Sequence, residues 1–212
     1  MTRVSLPRVK VCGVTSLVDA GLVAGAGADA LGLIYAASVR QVVGATATDI
    51  VMRYGHELWC VGVFRHQDDR EILRLVERDA LRMVQLHDPA SEELLDALAQ
   101  RDVRVIRALS ASRPHLTPVE ESCVAAVLVD GSTPGSGVAN DWELVSTLRF
   151  AVPMLVAGGL TPDNVADVIE RVRPWGVDVA SGVEVVHGVK DPAKMTSFIS
   201  RARTALTQKG AQ

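Results

Sequence analysis

The sequence predicts one (β/α)8 barrel, the TIM-barrel architecture, spanning residues 1–212 as a single domain. Three observations carry that prediction. Eight β-like apolar runs alternate with helical patterns at about 25 residues per unit, with no linker between them. The runs are mostly continuous Val, Ile and Leu, as in a parallel sheet covered on its outer face. The richest glycine turns follow the last two runs, whereas an open doubly wound sheet, the rival architecture, carries its fingerprint in the first βα turn.

The elements follow in order. Val9 and Val11 alternate with Lys10 and Cys12, and Gly13 breaks this first strand, leaving a thiol at its C-terminal end with room for a ligand. Ser16 caps a helix reaching about Gly27, with Asp19 three residues on. Ala30 to Tyr35 is the second strand, followed by the polar loop Ser38–Gln41 and a helix from Thr46 to Tyr54. Leu58 to Phe64 is the third strand and ends at Arg65. The helix from Asp68 to Ala80 carries Ile72, Leu75 and Val76 at i, i+3, i+4 spacing. Met83 to His87, a helix from Ser91 to Gln100, and Val103 to Arg107 give the next units.

The second half repeats the rhythm. A short helix near Pro118 precedes a strand from Val124 to Val129 that stops at Asp130, and Asp141 caps a helix to about Leu148. Val152 to Val156 runs into Gly158-Gly159, after which Thr161-Pro162 starts a helix with proline at its first position. Gly176 to Ala180 ends in Ser181-Gly182, and Asp191-Pro192 opens the last helix, with Met195, Phe198, Ile199 and Ala202 on its inner side.

Composition narrows the function. A net charge of -3 offers no basic field for nucleic acid and no polybasic membrane anchor. No apolar run approaches the roughly 20 residues that span a bilayer. Met1-Thr2-Arg3 leads straight into the first strand with no secretory segment. Cys12, Cys60 and Cys123 are too scattered for a zinc site, and no His/Asp/Glu cluster has ligand spacing, so no metal is expected. The reading is a reduced, cytoplasmic monomer acting on a small molecule, with no nucleic-acid or membrane partner.

Strand parity locates the chemistry. Positions that face the helices should be apolar, so the polar members of each strand should point into the barrel. This turns Lys10, Cys12, Gln85, His87, Arg107, Asp130 and Asp178 inward. Cys12, His87, Arg107 and Asp130 stand nearest the C-terminal ends, the face where such barrels place active sites. Lys10, Gln85 and Asp178 sit deeper, with Lys10 and Asp178 as an expected cross-barrel ion pair. Gly158, Gly159, Ser181 and Gly182 supply close-approach N–H groups and a hydroxyl where barrels often bind phosphate. In a closed ring Cys12 and Asp130 then flank that phosphate site, a thiol and a carboxyl suited to acid–base chemistry on a sugar phosphate.

KVCGVT, GADALGLIYAASVRQV, VGVF, VQLH, VIRA, the DG…SG…DW stretch, VAGGLTPDNV and VDVASGVEVVHGVKD, in that order, resemble phosphoribosylanthranilate isomerase along nearly the whole chain. The resemblance implies a cofactor-free Amadori rearrangement, the third step of tryptophan synthesis. It implies Cys12 as general base at C2 of the ring-opened imine and Asp130 as general acid toward the ribose ring oxygen. It also implies Arg40 on the anthranilate carboxylate, a task suited to a guanidinium fork. His87 joins Arg40 as a substrate-binding candidate, and Gly158, Gly159, Ser181 and Gly182 match the phosphate loops. The chain departs from the family pattern around Arg40, at His87-Asp88, and in a shortened loop, Ser132–Gly137. A related barrel isomerase on another phosphoribosyl amine would use paired aspartates, where this chain has Cys12. A non-catalytic paralogue would not need both Cys12 and Asp130.

Overall fold

The computed structural model describes residues 6–130 and 141–208; the start at Met1-Thr2-Arg3 and the loop Ser132–Gly137 lie outside the described residues. Eight parallel strands close into a barrel in chain order. They are β1 (Val9–Cys12), β2 (Ala30–Ile34), β3 (Trp59–Phe64), β4 (Met83–Leu86), β5 (Arg104–Ser110), β6 (Ala126–Asp130), β7 (Met154–Val156) and β8 (Gly176–Val179). The helices between them are α1 (Leu17–Gly25), α2 (Thr46–Tyr54), α3 (Asp69–Arg78), α4 (Glu92–Ala99), α5 (Pro118–Cys123), α6 (Trp142–Thr147) and α7 (Val165–Val172), and α8 (Pro192–Gln208) closes the chain. Ring closure falls between β1 and β8, where Lys10 stands opposite Asp178 in the register.

Continuous apolar strands make sense here because each strand is buried on both faces. Val9, Val11, Leu31, Leu33, Val84 and Leu86 pack outward against helices, while Ala30, Val61, Met83, Ile106, Leu128 and Leu155 fill the barrel interior. Helix starts are set locally. Ser16, Asp68, Ser91, Thr117 and Asp141 each accept a bond from a first-turn N–H, and Glu120 completes a capping box with Thr117. Such caps are worth about 1 kcal/mol apiece.

Three features correct the sequence reading. Helix α7 begins at Val165 with Asn164 as its N-cap, so Pro162 lies in a turn ahead of the helix. Between β8 and α8 the chain forms a 3-10 turn (Ser181–Val183) and a two-stranded hairpin, β9 (Glu184–Val186) with β10 (Val189–Lys190). Arg107 faces outward with Val105, because the inward members of β5 are Ile106 and Ala108. Its guanidinium lies between sheet and helix, where Nε donates to Glu120 Oε1 at 2.6 Å and Nη1 to the Leu86 carbonyl at 3.0 Å. An outward charge is tolerated when a helix residue meets it, and parity alone does not register that partner.

Candidate active site

The barrel interior changes character along its axis. Apolar side chains fill its N-terminal part, and Lys10, Gln85 and Asp178 lie buried above them. Lys10 Nζ donates to Asp178 Oδ2 at 3.0 Å; the ion pair expected from sequence forms, but between the neighbouring strands β1 and β8 and not across the barrel. Gln85 Oε1 and Asp178 Oδ1 are buried with no hydrogen-bond partner among the described residues. Both residues line a cavity of about 340 Å³ that opens at the C-terminal ends of the strands. Buried acceptors left open are costly in a core, and a ligand or water with N–H or O–H groups would satisfy them.

Cys12 from the end of β1 and Asp130 from the end of β6 line that same cavity. Burial pushes the Cys12 thiol above its ordinary range, while Lys10 and Lys190 pull it down and Asp178 adds to the rise. His87 lines the cavity beyond β4, and its Nε2 is 3.0 Å from Gln85 Nε2. Burial, with the nearby charges of Lys10, Arg65 and Arg107, lowers His87 to about 4, so it is a neutral imidazole near pH 7.

Gly158 and Gly159 after β7 and Ser181 after β8 line the wall between Asp130 and Cys12. Both glycines have positive φ, 89° and 66°, which turns the backbone sharply into the cavity. Gly182 stands behind this wall. A methyl group there would lie 1.8 Å from the Leu160 carbonyl oxygen, so its lack of a side chain seats the β8 loop against the β7 loop.

Arg40 also lines the cavity, and it is held from behind. Its Nε and Nη2 donate to the two carboxylate oxygens of Glu184, each at 2.8 Å, which uses two of its five N–H donors. Lys190 Nζ donates to the same Glu184 at 2.9 Å, to the Cys12 carbonyl at 2.7 Å and to the Ala180 carbonyl at 3.1 Å. One buried carboxylate thus joins the loop after β2, the end of β1 and the end of β8. Burial works against the charged carboxylate, but Arg40 and Lys190 bring Glu184 down to about 2. Gly13, at φ 75°, receives the stem of Arg40: a methyl group there would lie 2.7 Å from Arg40 Cδ. Gly13 therefore makes room for a side chain, where the sequence suggested room for a ligand.

Sequence reasoning missed Glu184 and Lys190. The apolar pairs Val185-Val186 and Val189 around His187-Gly188 carry a hairpin signal, which would have put the two charged ends opposite one another. It also missed Gly32, where a methyl group would lie 2.6 Å from Cys12 Sγ.

The fold and the cavity define a (β/α)8-barrel enzyme with a thiol and a carboxyl flanking a glycine-built wall at its C-terminal mouth. Residues 9–201 match the family model described as N-(5'phosphoribosyl)anthranilate (PRA) isomerase. The isomerase of Desulforudis audaxviator is 39% identical over 202 residues, covering 93% of this chain and 98% of its own. Among solved structures, the Thermus thermophilus phosphoribosyl anthranilate isomerase superposes with a TM-score of 0.82 at 36% identity, over 93% of this chain and 98% of that one. Another, solved in complex with reduced 1-(o-carboxyphenylamino)-1-deoxyribulose 5-phosphate, gives a TM-score of 0.74 at 31% identity, over 94% of this chain and 100% of that one. The chain belongs to the N-(5'-phosphoribosyl)anthranilate isomerase family.

Proposed function

We propose that the chain converts N-(5-phosphoribosyl)anthranilate to 1-(2-carboxyphenylamino)-1-deoxyribulose 5-phosphate, the third step of tryptophan biosynthesis. The observation that carries this is the convergence of Cys12 and Asp130 on one cavity, with the glycine turns between them. Family membership supplies the substrate class.

In this reading the Asp130 carboxyl gives its proton to the ribose ring oxygen as the bond from C1 to that oxygen breaks. The anilino nitrogen supplies the electron pair and becomes an iminium. Cys12, as thiolate, takes the proton from C2, and those electrons form the C1=C2 bond of an enolamine. The enolamine then loses the proton on the C2 oxygen and gains one at C1, which gives the ketone. Proton return from the Cys12 thiol to the Asp130 carboxylate resets the pair.

The phosphate is read against the N–H groups and hydroxyl of Gly158, Gly159 and Ser181, with Gly182 holding the turn behind them. Arg40 meets the anthranilate carboxylate through donors that Glu184 leaves open, and His87, neutral, contacts the sugar. Among the described residues no helix is long and apolar enough to cross a membrane, in keeping with an enzyme of the cytoplasm.

Growth of a tryptophan auxotroph lacking this step tests the reading. The wild-type chain restores growth, while Asp130→Asn and Cys12→Ala do not, although both variants still bind product. Restored growth with either variant overturns the assigned chemistry, and failure of the wild-type chain overturns the function.

A further inference from the structure

Lys10 is fully buried in the barrel, at 0% exposure, and Asp178 takes one of its three N–H donors. A methyl group on Gly32, across on β2, would lie 2.6 Å from Cys12 Sγ and 3.2 Å from Lys10 Nζ. Sulfur and ammonium therefore share the small space above Gly32, within about 6 Å of each other, a range in which a charge favours its opposite. Apolar side chains of similar volume often stabilise a core as well or better, so a buried Lys–Asp pair points to another use.

We propose that Lys10 is a positioning residue for the reaction: its ammonium, anchored by Asp178, stabilises Cys12 as the thiolate that takes the C2 proton. This rests on the reading of Cys12 as the base. Other charged groups face the same sulfur. Asp178 comes from β8; Lys190, from β10, bonds the Cys12 carbonyl; Arg40, from the loop after β2, is tied to Glu184. Asp130 and His87 complete the cavity wall. Lys190 and Arg40 both spend donors on Glu184, whereas Lys10 shares its pocket with the sulfur. Burial pushes the thiol up, and Lys10 is foremost among the influences that bring it down. Burial works against the Lys10 charge, but Asp178 and then Cys12 hold it above its ordinary value.

The test uses the full chain, with Lys10→Met and with the double variant Lys10→Met/Asp178→Asn, which leaves no unpaired buried charge. Alkylation of Cys12 by iodoacetamide is followed against pH, peptide by peptide in a mass spectrometer, with the exposed Cys123 as internal reference. The pH profile of kcat is taken in parallel. In the folded double variant the Cys12 midpoint and the pH dependence of kcat that follows it both shift upward by at least one pH unit, a tenfold or greater loss near pH 7. Cys123 is unchanged. A folded double variant with the wild-type Cys12 profile overturns the proposal. A shifted alkylation profile with an unshifted kcat profile overturns the base role of Cys12 and leaves the coupling of Lys10 to the sulfur standing.

Discussion

Replacing Glu184 with Gln isolates the carboxylate that joins three parts of the site. In the wild type, Oε1 accepts from Arg40 Nε and Lys190 Nζ, and Oε2 accepts from Arg40 Nη2. The amide oxygen of Gln can keep the first two bonds, but its NH2 group then confronts Arg40 Nη2, donor against donor. The drop of the Glu184 carboxyl from 4.5 to about 2 converts to about 3 kcal/mol of stability near neutral pH. That agrees with the loss of about 3–5 kcal/mol seen when one partner of a buried ion pair is removed. Because the folded-state value lies below the ordinary one, the contribution is complete above about pH 4.5 and disappears as pH falls toward 2. Urea unfolding of wild type and Glu184→Gln across pH 2.5–7.5 reads this directly. The two stabilities differ by about 3 kcal/mol at neutral pH and converge as acid titrates the carboxylate. A gap that stays constant over the whole range would refute the assignment of this energy to the Glu184 charge.

Two further outcomes follow from particular contacts. Gly32→Ala brings a methyl group within 3.1 Å of Cys12 Cα as well as onto its sulfur, so it should destabilise the barrel by about 1–3 kcal/mol. A thiol displaced by even 1 Å should lower kcat by roughly a hundredfold, and a wild-type kcat in a folded Gly32→Ala protein would show that the sulfur does not pack there. Arg107→Met leaves Glu120 buried without its partner and should cost about 3–5 kcal/mol in chemical denaturation, with kcat and KM near wild type below the new melting point. A selective loss of kcat would return Arg107 to the catalytic side of the sheet.

Much of this was legible in the chain because a barrel strand has only two faces. Once Val9 and Val11 are assigned to the helices, Lys10 and Cys12 have nowhere to point but inward, and the same holds for Gln85 between Val84 and Leu86. The rule failed at Arg107, where an outward charge found Glu120, a residue already visible as the far end of a Thr117 capping box. Long-range support for the site was less legible. Glu184 and Lys190 reach Arg40 and the Cys12 carbonyl across 144 and 178 positions of sequence. No local period encodes contacts of that span. The glycines divided the same way: positive φ at Gly158 and Gly159 accords with the turn expected there, but the roles of Gly13 and Gly32 as space for Arg40 and for Cys12 depend on neighbours from other strands.

Ring closure ties activity to completion of the chain. The sulfur is made near the beginning of synthesis, yet the lysine that grips its backbone and the aspartate that anchors its neighbouring ammonium belong to the final fifth of the polypeptide. The corner around Cys12 is also the seam where the cylinder shuts, between β1 and β8. A molecule that has failed to close leaves Cys12 without the lysine that holds its carbonyl, and Lys10 without the aspartate that anchors it.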